Sequence, residues 1–489
     1  MKDLKKRVIQ SGLAKVCSQV ANSALRLGYI AAMARLLHPE DFGLVAMVIA
    51  VTSFYELFTT AGLLLAAVQS SRITEDQIST LFWVNLLVGA VLFLVCIATA
   101  PVLVSFYGEP RLFWITMTVG FGFLFNAACA QHSALLQREL RYVELSIIET
   151  TSLVVGCGIG VSLAASGFGY WGLVGSTIAT PAITGALLWA RTGWVPGLPR
   201  RHADVRSLLG FGGTVTLNNL IVHLAYNLDK LLIGRVWGPG ALGIYGTAYQ
   251  LANAPTRDAM GAIGVVAFAA LARLQEEPAR LKSYFLRGFA LVVSATMPIT
   301  LFAAVFADDI VLFLLGPKWA QAATVYRLLA PTILVFSIIN PTGWLLQSVG
   351  LQGRSLRIAC AIAPLAVTGF VLGLPYGPAG VALGFSVAMT LWLVPHVFWC
   401  LHGTAVRPYE ILIAALPPFA ASVAAVGLAY GVAELWLDQL PVPARLALAG
   451  MAMGGTYLAV LMFAMDQKNF YWGLLRDIRG ASPSGSVAP

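Results

Sequence analysis

Long apolar runs separated by short polar stretches make up most of the chain. A helix needs about 20 apolar residues to cross the ~30 Å hydrocarbon core of a bilayer, because it rises only 1.5 Å per residue. Fourteen such runs, called spans 1 to 14 in chain order, lie near residues 12–34, 42–67, 80–104, 112–135, 143–165, 169–190, 208–234, 241–268, 285–306, 325–348, 356–374, 378–401, 409–433 and 443–465. The pattern predicts an all-α polytopic membrane protein with about 14 transmembrane helices.

Composition supports this prediction and narrows the chemistry. Of the 489 residues, 58% are hydrophobic and 11% are charged, whereas soluble domains carry about 25% charge. The net charge of +9 does not indicate nucleic-acid binding, because the basic residues lie in short loops and not on one continuous face. The six cysteines lie inside apolar stretches without metal-ligand spacing. We therefore expect neither a metal site, nor a cofactor, nor a disulfide framework.

The distribution of Lys and Arg predicts the orientation. If the N-terminal "MKDLKKR" is cytoplasmic, the loops on that side carry 21 of the 31 basic residues, and the opposite loops carry only Arg111, Arg235, Lys318 and Arg445. Cytoplasmic loops are the ones enriched in Lys and Arg. We therefore expect a multi-pass protein of the inner membrane with an even number of spans and both termini in the cytoplasm.

A short phrase recurs 200 positions along the chain. "RLLHPEDFGLV" at 35–45 aligns with "RVWGPGALGIY" at 235–245, so that an Arg, a Pro and a Gly fall in register. Weaker matches recur at span boundaries six spans apart: "ALLQ" ends span 4, and "WLLQ" ends span 10. Because six is even, both copies have the same orientation, which predicts a parallel repeat of two six-helix lobes. The predicted division is an N-lobe at 1–198, a C-lobe at 199–405, spans 13 and 14 at 406–466, and a cytoplasmic tail at 467–489.

Polar faces on equivalent spans predict where a transport pathway runs. On span 1, five polar residues are spaced by four, three, four and three positions, which keeps them on one helical face. Span 7 carries a similar stripe, and spans 2 and 8 each add a charge at comparable depth. A bare charge near mid-bilayer is costly unless water, a counter-charge or a substrate compensates it. The predicted substrate and ion pathway comprises Lys15, Gln19, Asn22, Arg26, Glu56, Asn219, His223, Asn227, Asp229, Lys230 and Arg257.

Structural alternatives exist for several of these residues. Glu56 is also explained by a buried ion pair that fastens helices together. Asp229 is also explained by an interfacial clamp with Lys230 or Arg235. Lys15 lies close enough to a span end for its ammonium group to reach the membrane surface. His223 lies on a polar stripe, which makes proton sensing a further hypothesis.

The sequence motifs that would indicate a catalytic site are not supported. "GFGYWG" at 167–172 satisfies the spacing of a dinucleotide-binding loop, but no strand precedes it and no suitably placed acid follows. No P-loop occurs, and no nucleophile and base recur at a useful spacing. The longest external connection, about 307–324, leaves no room for a soluble catalytic region. The sequence therefore predicts a transporter and not an enzyme.

Several longer phrases occur together and in order: "RLLHPEDFGLVAM", "ITEDQISTLFWVNL", "FYGEPRL", "ALLQRELRYVELSIIE", "GFGYWGLV" and "NLDKLLIGRVWGPGALGIYGTAYQL". With these phrases the chain resembles the polysaccharide-transport family of the MOP exporter superfamily, the Wzx-type flippases, over residues 5–405. Spans 13 and 14 agree with the fourteen-helix plan of that family.

The resemblance implies a V-shaped, MATE-like pair of lobes and a substrate. Such proteins move an undecaprenyl-pyrophosphate-linked oligosaccharide repeat to the outer leaflet by alternating access, before other assembly proteins such as a polymerase extend it. Coupling to H⁺ or Na⁺ occurs or is proposed within the superfamily, and Glu56, Asp229 and Asp258 are alternative candidates for the coupling acid. Two alternatives share the architecture: a lipid II flippase for peptidoglycan precursors, and a multidrug or cation antiporter. The span 1 stripe contains bases and no acid, which disfavours a cation as the substrate.

Overall fold

Helices account for all the regular structure that can be described. The computed structural model describes residues 2–60, 74–139, 141–199, 206–437, 439–465, 467–468 and 471, and within these ranges there is no strand. In chain order the helices are α1 Lys2–Leu36, α2 Pro39–Thr60, α3 Glu75–Tyr107, α4 Leu112–Arg138, α5 Tyr142–Ala165, α6 Trp171–Thr192, α7 Arg206–Arg273, α8 Pro278–Val305, α9 Ala307–Leu314, α10 Ala320–Ser348, α11 Gln352–Gly373, α12 Gly377–Leu401, α13 Pro408–Trp436 and α14 Val442–Ala459.

The predicted spans coincide with these helices wherever the chain is described. Nine helical segments among the described residues are long and apolar enough to cross a membrane. Spans 7 and 8 both lie in α7, which changes direction at Gly238 with φ 78° and ψ −176°. Glycine tolerates a positive φ because it lacks a Cβ. The connection at 307–324, predicted as a loop, contains the eight-residue helix α9. The all-α polytopic fold is therefore confirmed.

Close contacts between small residues hold the first six helices together. They belong to a compact unit, called unit 1, that comprises 1–254, 314–329 and 353–392. Within it, α3 packs on α4, α4 on α6, α5 on α6, and α1 on α5. A Cβ at Gly160 of α5 would lie 2.8 Å from the carbonyl oxygen of Gly172 in α6. Membrane helices attract one another mainly through such close packing, because lipid is as apolar as their side chains.

The two copies of the repeated phrase meet within unit 1. A Cβ at Gly43 would lie 1.7 Å from the carbonyl oxygen of Pro239, and a Cβ at Gly243 would lie 1.8 Å from that of Pro39. Each glycine thus leaves room for the backbone of the other copy. The reciprocity agrees with a local twofold relation between the beginning of α2 and the part of α7 that follows Gly238.

A buried tryptophan fastens the turn before α10 to α1. Trp319 is fully buried, and its indole Nε1–H donates to the carbonyl oxygen of Ala34 at 3.0 Å. Its ring also meets Phe42 edge to face, with centroids 5.0 Å apart. Burying an indole favours such a partner for its N–H group. This contact orders the C-terminal end of α1 beside the repeated phrase.

A second compact unit, called unit 2, comprises 255–313, 330–352 and 393–489. Its α8 packs on α13, and α13 packs on α14. The core is built from large apolar side chains of α8, α10, α12 and α13, among them Phe285, Phe289, Leu345, Leu401 and Ile411. Spans 13 and 14 therefore form part of a packed helical unit.

Candidate substrate and ion pathway

Nine of the eleven predicted pathway residues have described side chains. The side chains of Lys15 and Asn219 lie outside the described residues, although both positions are helical. Among the nine, His223, Asn227, Asp229 and Lys230 come together in the first half of α7. Gln19, Asn22 and Arg26 lie on α1, and Glu56 and Arg257 lie on α2 and the second half of α7.

A chain of polar contacts links α2 to both halves of α7. The Nε2 atom of His223 lies 3.1 Å from Oγ of Ser53 in α2. Asn227 donates from Nδ2 to the carbonyl oxygen of His223 at 3.0 Å, and its Oδ1 accepts from Nζ of Lys230 at 2.6 Å. The Lys230 ammonium also lies 5.4 Å from the centroid of the Tyr249 ring. These five residues are called the α2/α7 polar network below.

The network determines how His223 is arranged. Because Lys230 donates to the amide oxygen of Asn227, the Asn227 NH₂ group must point toward His223, where it lies 3.3 Å from Nδ1. An NH₂ group is a donor, so Nδ1 acts as an acceptor and the neutral ring carries its hydrogen on Nε2, facing Ser53. A general base for Ser53 would need a free lone pair on Nε2. The contact is therefore unsuited to activating the serine as a nucleophile.

Asp229 occupies a different environment from its neighbours. Its side chain is fully buried and accepts hydrogen bonds from the Tyr245 hydroxyl at 2.6 Å and from the Lys230 backbone N–H at 2.7 Å. Tyr245, also fully buried, follows Gly238, so the pair joins the two halves of α7. Arg235 instead places its guanidinium 5.7 Å from the Phe106 ring. The position of Asp229 suits a clamp across the bend.

The polar stripe predicted on span 1 lies on α1 and ends at Tyr29; some of its side chains contact other helix residues, and one charged side chain is exposed. The Tyr29 hydroxyl lies 2.6 Å from Oγ of Ser176 in α6, and Asn22 donates to Ser18 at 3.4 Å. Oδ1 of Asn22 is buried without a hydrogen-bond partner. Arg26, between them in sequence, is exposed, and Gln19 is half-buried. Tyr29 therefore fastens α1 to the bundle, and Arg26 remains accessible.

The two deep charges predicted at pseudo-equivalent positions are both accessible. Glu56 of α2 and Arg257 of α7 have exposed side chains, and each also interacts with other groups. Glu56 lies three residues after Ser53, close to one turn along the same helix. Glu56 therefore adds an exposed carboxylate on α2 to a region that also contains the buried carboxylate of Asp229.

Three members of this region were missed by sequence reasoning: Ser53, Tyr245 and Tyr249. The two tyrosines are four residues apart in the half of α7 that follows Gly238, a spacing that places both on one face. That spacing was a usable signal. A single serine in an apolar helix carries no such signal, because serine often bonds its own helix backbone.

The side chains of the α2/α7 polar network have the chemistry that suits an anionic, hydroxyl-rich ligand. An ammonium group held by one amide oxygen and one aromatic face keeps further N–H donors, and charge-assisted bonds to phosphate are stronger than neutral ones. Among the described residues, no group of three or more His, Cys, Asp or Glu side chains is arranged to hold a metal ion.

Sequence comparison finds similarity to proteins of polysaccharide biosynthesis. The model of the family described as polysaccharide biosynthesis protein matches residues 32–324. The teichuronic acid biosynthesis protein TuaB of Bacillus subtilis (strain 168) is 28% identical over 61% of this chain and 62% of its own length. The lipopolysaccharide biosynthesis protein WzxC of Escherichia coli (strain K12) is 24% identical over 89% of this chain and 90% of its own length.

Solved structures share the fold at low sequence identity. The lipid II flippase MurJ, in an inward closed conformation, superposes with a TM-score of 0.73 at 12% identity, covering 94% of this chain and 99% of that one. An inward-facing multidrug resistance MATE family transporter of the MOP superfamily gives a TM-score of 0.65 at 13% identity, covering 81% and 98%. The predicted MATE-like architecture is thereby confirmed.

Proposed function

The chain belongs to the polysaccharide biosynthesis protein family, and from this we propose that it is a secondary transporter that flips a lipid-linked oligosaccharide. The proposed substrate is an oligosaccharide repeat on undecaprenyl pyrophosphate, destined for an exopolysaccharide, a capsule or an O-antigen. The names of TuaB and WzxC support a saccharide substrate. The low identity to MurJ and to the MATE transporter supports the fold and not their substrates.

The α2/α7 polar network is the observation that carries the proposal. A pyrophosphate headgroup with sugars needs a cation and many hydrogen-bonding groups inside an otherwise apolar bundle. Lys230 supplies the cation, held at 2.6 Å from the Asn227 amide oxygen and over the ring of Tyr249. Such a site disfavours cationic drugs, which a multidrug antiporter would have to admit.

The remaining pathway residues extend this site in the proposal. Arg26 and Arg257, both exposed, serve as additional cations for the pyrophosphate or for an acidic sugar. Lys15, Gln19, Asn22 and Asn219 line the route. The prenyl chain stays in the lipid. The two lobes, at 1–198 and 199–405, open the pathway to one side of the membrane at a time. Spans 13 and 14 follow at 406–466, and the tail at 467–489 lies in the cytoplasm.

Orientation and coupling complete the proposal. The protein lies in a bacterial inner membrane with both termini in the cytoplasm, so that the substrate moves to the outer leaflet, where polymerase and other assembly proteins receive it.

Transport is driven by H⁺ or Na⁺, with Glu56 as the coupling carboxylate and His223 as a second titratable group. Glu56→Gln should remove the dependence of transport in vesicles on the ion gradient, and normal gradient-dependent transport by this variant would contradict the role.

A comparison of two lysine variants tests the proposed function. In a strain that lacks this protein, Lys230→Met should block surface polymer and cause undecaprenyl-linked repeats to accumulate on the cytoplasmic side. Lys230→Arg should restore part of the export, because it keeps the charge. Lys318→Met, which removes an exposed lysine from the turn before α10, is the matched control. Normal export by a correctly inserted Lys230→Met protein would contradict the proposal, and so would sensitivity to cationic dyes without lipid-linked intermediates.

A further inference from the structure

Two pathway helices of unit 1, α1 and α2, are covered near the repeated phrases and accessible farther away. Ala34 of α1 and Met47 of α2 are fully buried. Arg26 lies eight positions before Ala34, and Glu56 lies nine positions after Met47; both side chains are exposed. These separations correspond to about 12 to 14 Å of helix. The end of unit 1 at which the phrases meet is therefore the closed end of these two helices.

Trp319 covers the first phrase at this closed end. It comes from the turn before α10, in the second half of the sequence repeat, and is the largest fully buried side chain among the described residues. Its indole N–H donates to the carbonyl oxygen of Ala34 at 3.0 Å, and its ring meets Phe42 edge to face. Burying a large aromatic side chain stabilises the closed arrangement.

A reciprocal contact covers the chain just before the second phrase. The end of α3, in the first half of the repeat, supplies Phe106, whose ring lies 5.7 Å from the guanidinium of Arg235. The neighbouring Tyr107 ring would lie 2.9 Å from a Cβ on Gly234. Each copy of the phrase, or the residue just before it, is thus contacted by aromatic side chains from the other half of the repeat.

The carbonyl group that binds Trp319 is free because of the way α1 ends. In a continuing helix the backbone N–H of His38 would donate to the carbonyl of Ala34, four residues earlier. It donates instead to Oδ2 of Asp41 at 3.0 Å. The last carbonyls of a helix can equally be satisfied by water, and Ala34 ends span 1, close to the membrane surface. Water can therefore replace the indole N–H when the two groups separate.

We propose that Trp319 is a latch that holds this end of the pathway closed and leaves its position when the pathway opens there. The proposal rests on the proposed transport by alternating access, and in the predicted orientation this is the external end, where the oligosaccharide is released. Burial of the indole favours the closed state, and the replaceable hydrogen bond limits the cost of opening. Trp319 acts on access to the pathway, so we assign it a positioning role.

Labelling of a pathway cysteine from one side of the membrane tests the latch. Ser53→Cys places a thiol in the α2/α7 polar network, and a membrane-impermeant maleimide added to spheroplasts reaches it only from outside. Labelling at position 53, corrected for the same protein without this cysteine, should be slow while Trp319 is present. Trp319→Ala should raise the rate by about tenfold, which corresponds to about 1.4 kcal/mol in the opening equilibrium. Trp319→Phe keeps a ring but loses the N–H donor, so its rise should be smaller.

Two controls separate a latch from a general loss of structure. Trp114→Ala removes an exposed indole from the beginning of α4 and should leave the labelling rate at position 53 unchanged. Cys96, which is fully buried in α3, should stay unlabelled in Trp319→Ala, because only a destabilised protein would expose it as well.

Four results would overturn the proposal. They are fast labelling of position 53 from outside when Trp319 is present, no rise in Trp319→Ala, an equal rise in Trp114→Ala, and labelling of Cys96 as fast as that of position 53. If Trp319→Ala is not inserted into the membrane, Trp319→Phe decides the outcome by the same criteria.

The labelling assay needs no substrate, so failure of the latch and failure of the proposed function are distinguishable. If Lys230→Met exports normally while Trp319→Ala opens position 53 to the outside, the latch stands and the proposed substrate is contradicted. If Lys230→Met blocks export while Trp319→Ala leaves position 53 closed, the proposed function stands and the latch is contradicted.

Discussion

The carbonyl oxygen of Pro239 lies 1.7 Å from the point where a Cβ on Gly43 would stand, and the carbonyl oxygen of Pro39 lies 1.8 Å from the corresponding point on Gly243. The two copies of the repeated phrase therefore pack on each other through their backbones. The phrase does more than end one helix and begin the next. It provides the close contact that joins α2 to the second half of α7.

The first prediction concerns these two glycines. Gly43→Ala or Gly243→Ala should lower the thermal stability of the protein in detergent and reduce export, because an added methyl group would collide with a backbone carbonyl that cannot move aside. Forced overpacking costs about 1–3 kcal/mol at most sites. Gly246→Ala is the control, since a Cβ there would meet nothing within 4 Å.

The double variant makes this prediction sharper. Since both glycines form one reciprocal contact, the Gly43→Ala/Gly243→Ala double variant should lose less stability than the sum of the losses in the two single variants. Simple additivity would mean that the two contacts are independent. Unchanged stability in either single variant would show that the backbones are not held this closely.

The second prediction concerns the pair formed by Asp229 and Tyr245. Tyr245→Phe removes the hydroxyl that donates to the buried carboxylate at 2.6 Å, and leaving a buried acceptor short of a donor costs about 1–3 kcal/mol. We expect a lower unfolding temperature in detergent. Tyr284→Phe, at an exposed tyrosine, should leave the unfolding temperature unchanged. If Tyr245→Phe is as stable as wild type, Asp229 is not a clamp across the bend at Gly238.

The third prediction separates charge from packing at Arg26 and Arg257. Both side chains are exposed, so Ala variants should insert and fold, yet export should fall because each variant loses a positive charge that is proposed to contact the substrate. Lys variants should keep part of the activity, since they retain charge without the planar geometry of guanidinium. The amount of surface polymer and the amount of membrane-inserted protein should be measured together for each variant. Full export by both Ala variants would contradict the proposed role of these two charges in transport.

The fourth prediction concerns pH and the loop between α3 and α4. Hydrogen bonds from Arg111, at 2.8 and 2.9 Å, hold the pKa of Glu109 below its ordinary value of 4.5. A lowered folded-state pKa contributes stability that is present at neutral pH and is lost as the pH falls from 4.5 through the folded-state value. Glu109→Gln should therefore be slightly less stable than wild type at pH 7, by less than about 1 kcal/mol because the pair is partly exposed.

The same comparison at lower pH supplies the check. The difference in unfolding temperature between wild type and Glu109→Gln should shrink as the pH is lowered below 4.5, because the wild-type carboxyl then loses its charge by protonation. A difference that stays constant between pH 7 and pH 3 would mean that the ion pair is not its source.

Part of the candidate site was readable from the sequence. The 3.6-residue period of a helix places Asn227 and Lys230 near His223 whatever the rest of the fold does, so this face was predictable from spacing alone. Ser53 comes from a helix about 170 positions earlier, and Tyr245 meets Asp229 only because the chain bends at Gly238. Neither partner could be inferred, since spacing within one helix says nothing about which neighbour that helix faces.

The sequence by itself determined the membrane class, the number and limits of most spans, the repeated phrase and the family resemblance, because the length of an apolar run and the cost of exposing polar backbone to lipid act locally along the chain. Only the tertiary structure decided that the two repeated phrases pack on each other, and that Asp229 is buried against Tyr245 while Arg26 stays exposed. The reason is physical. Helix rotation and the choice of packing partner depend on side-chain contacts between residues far apart in the sequence.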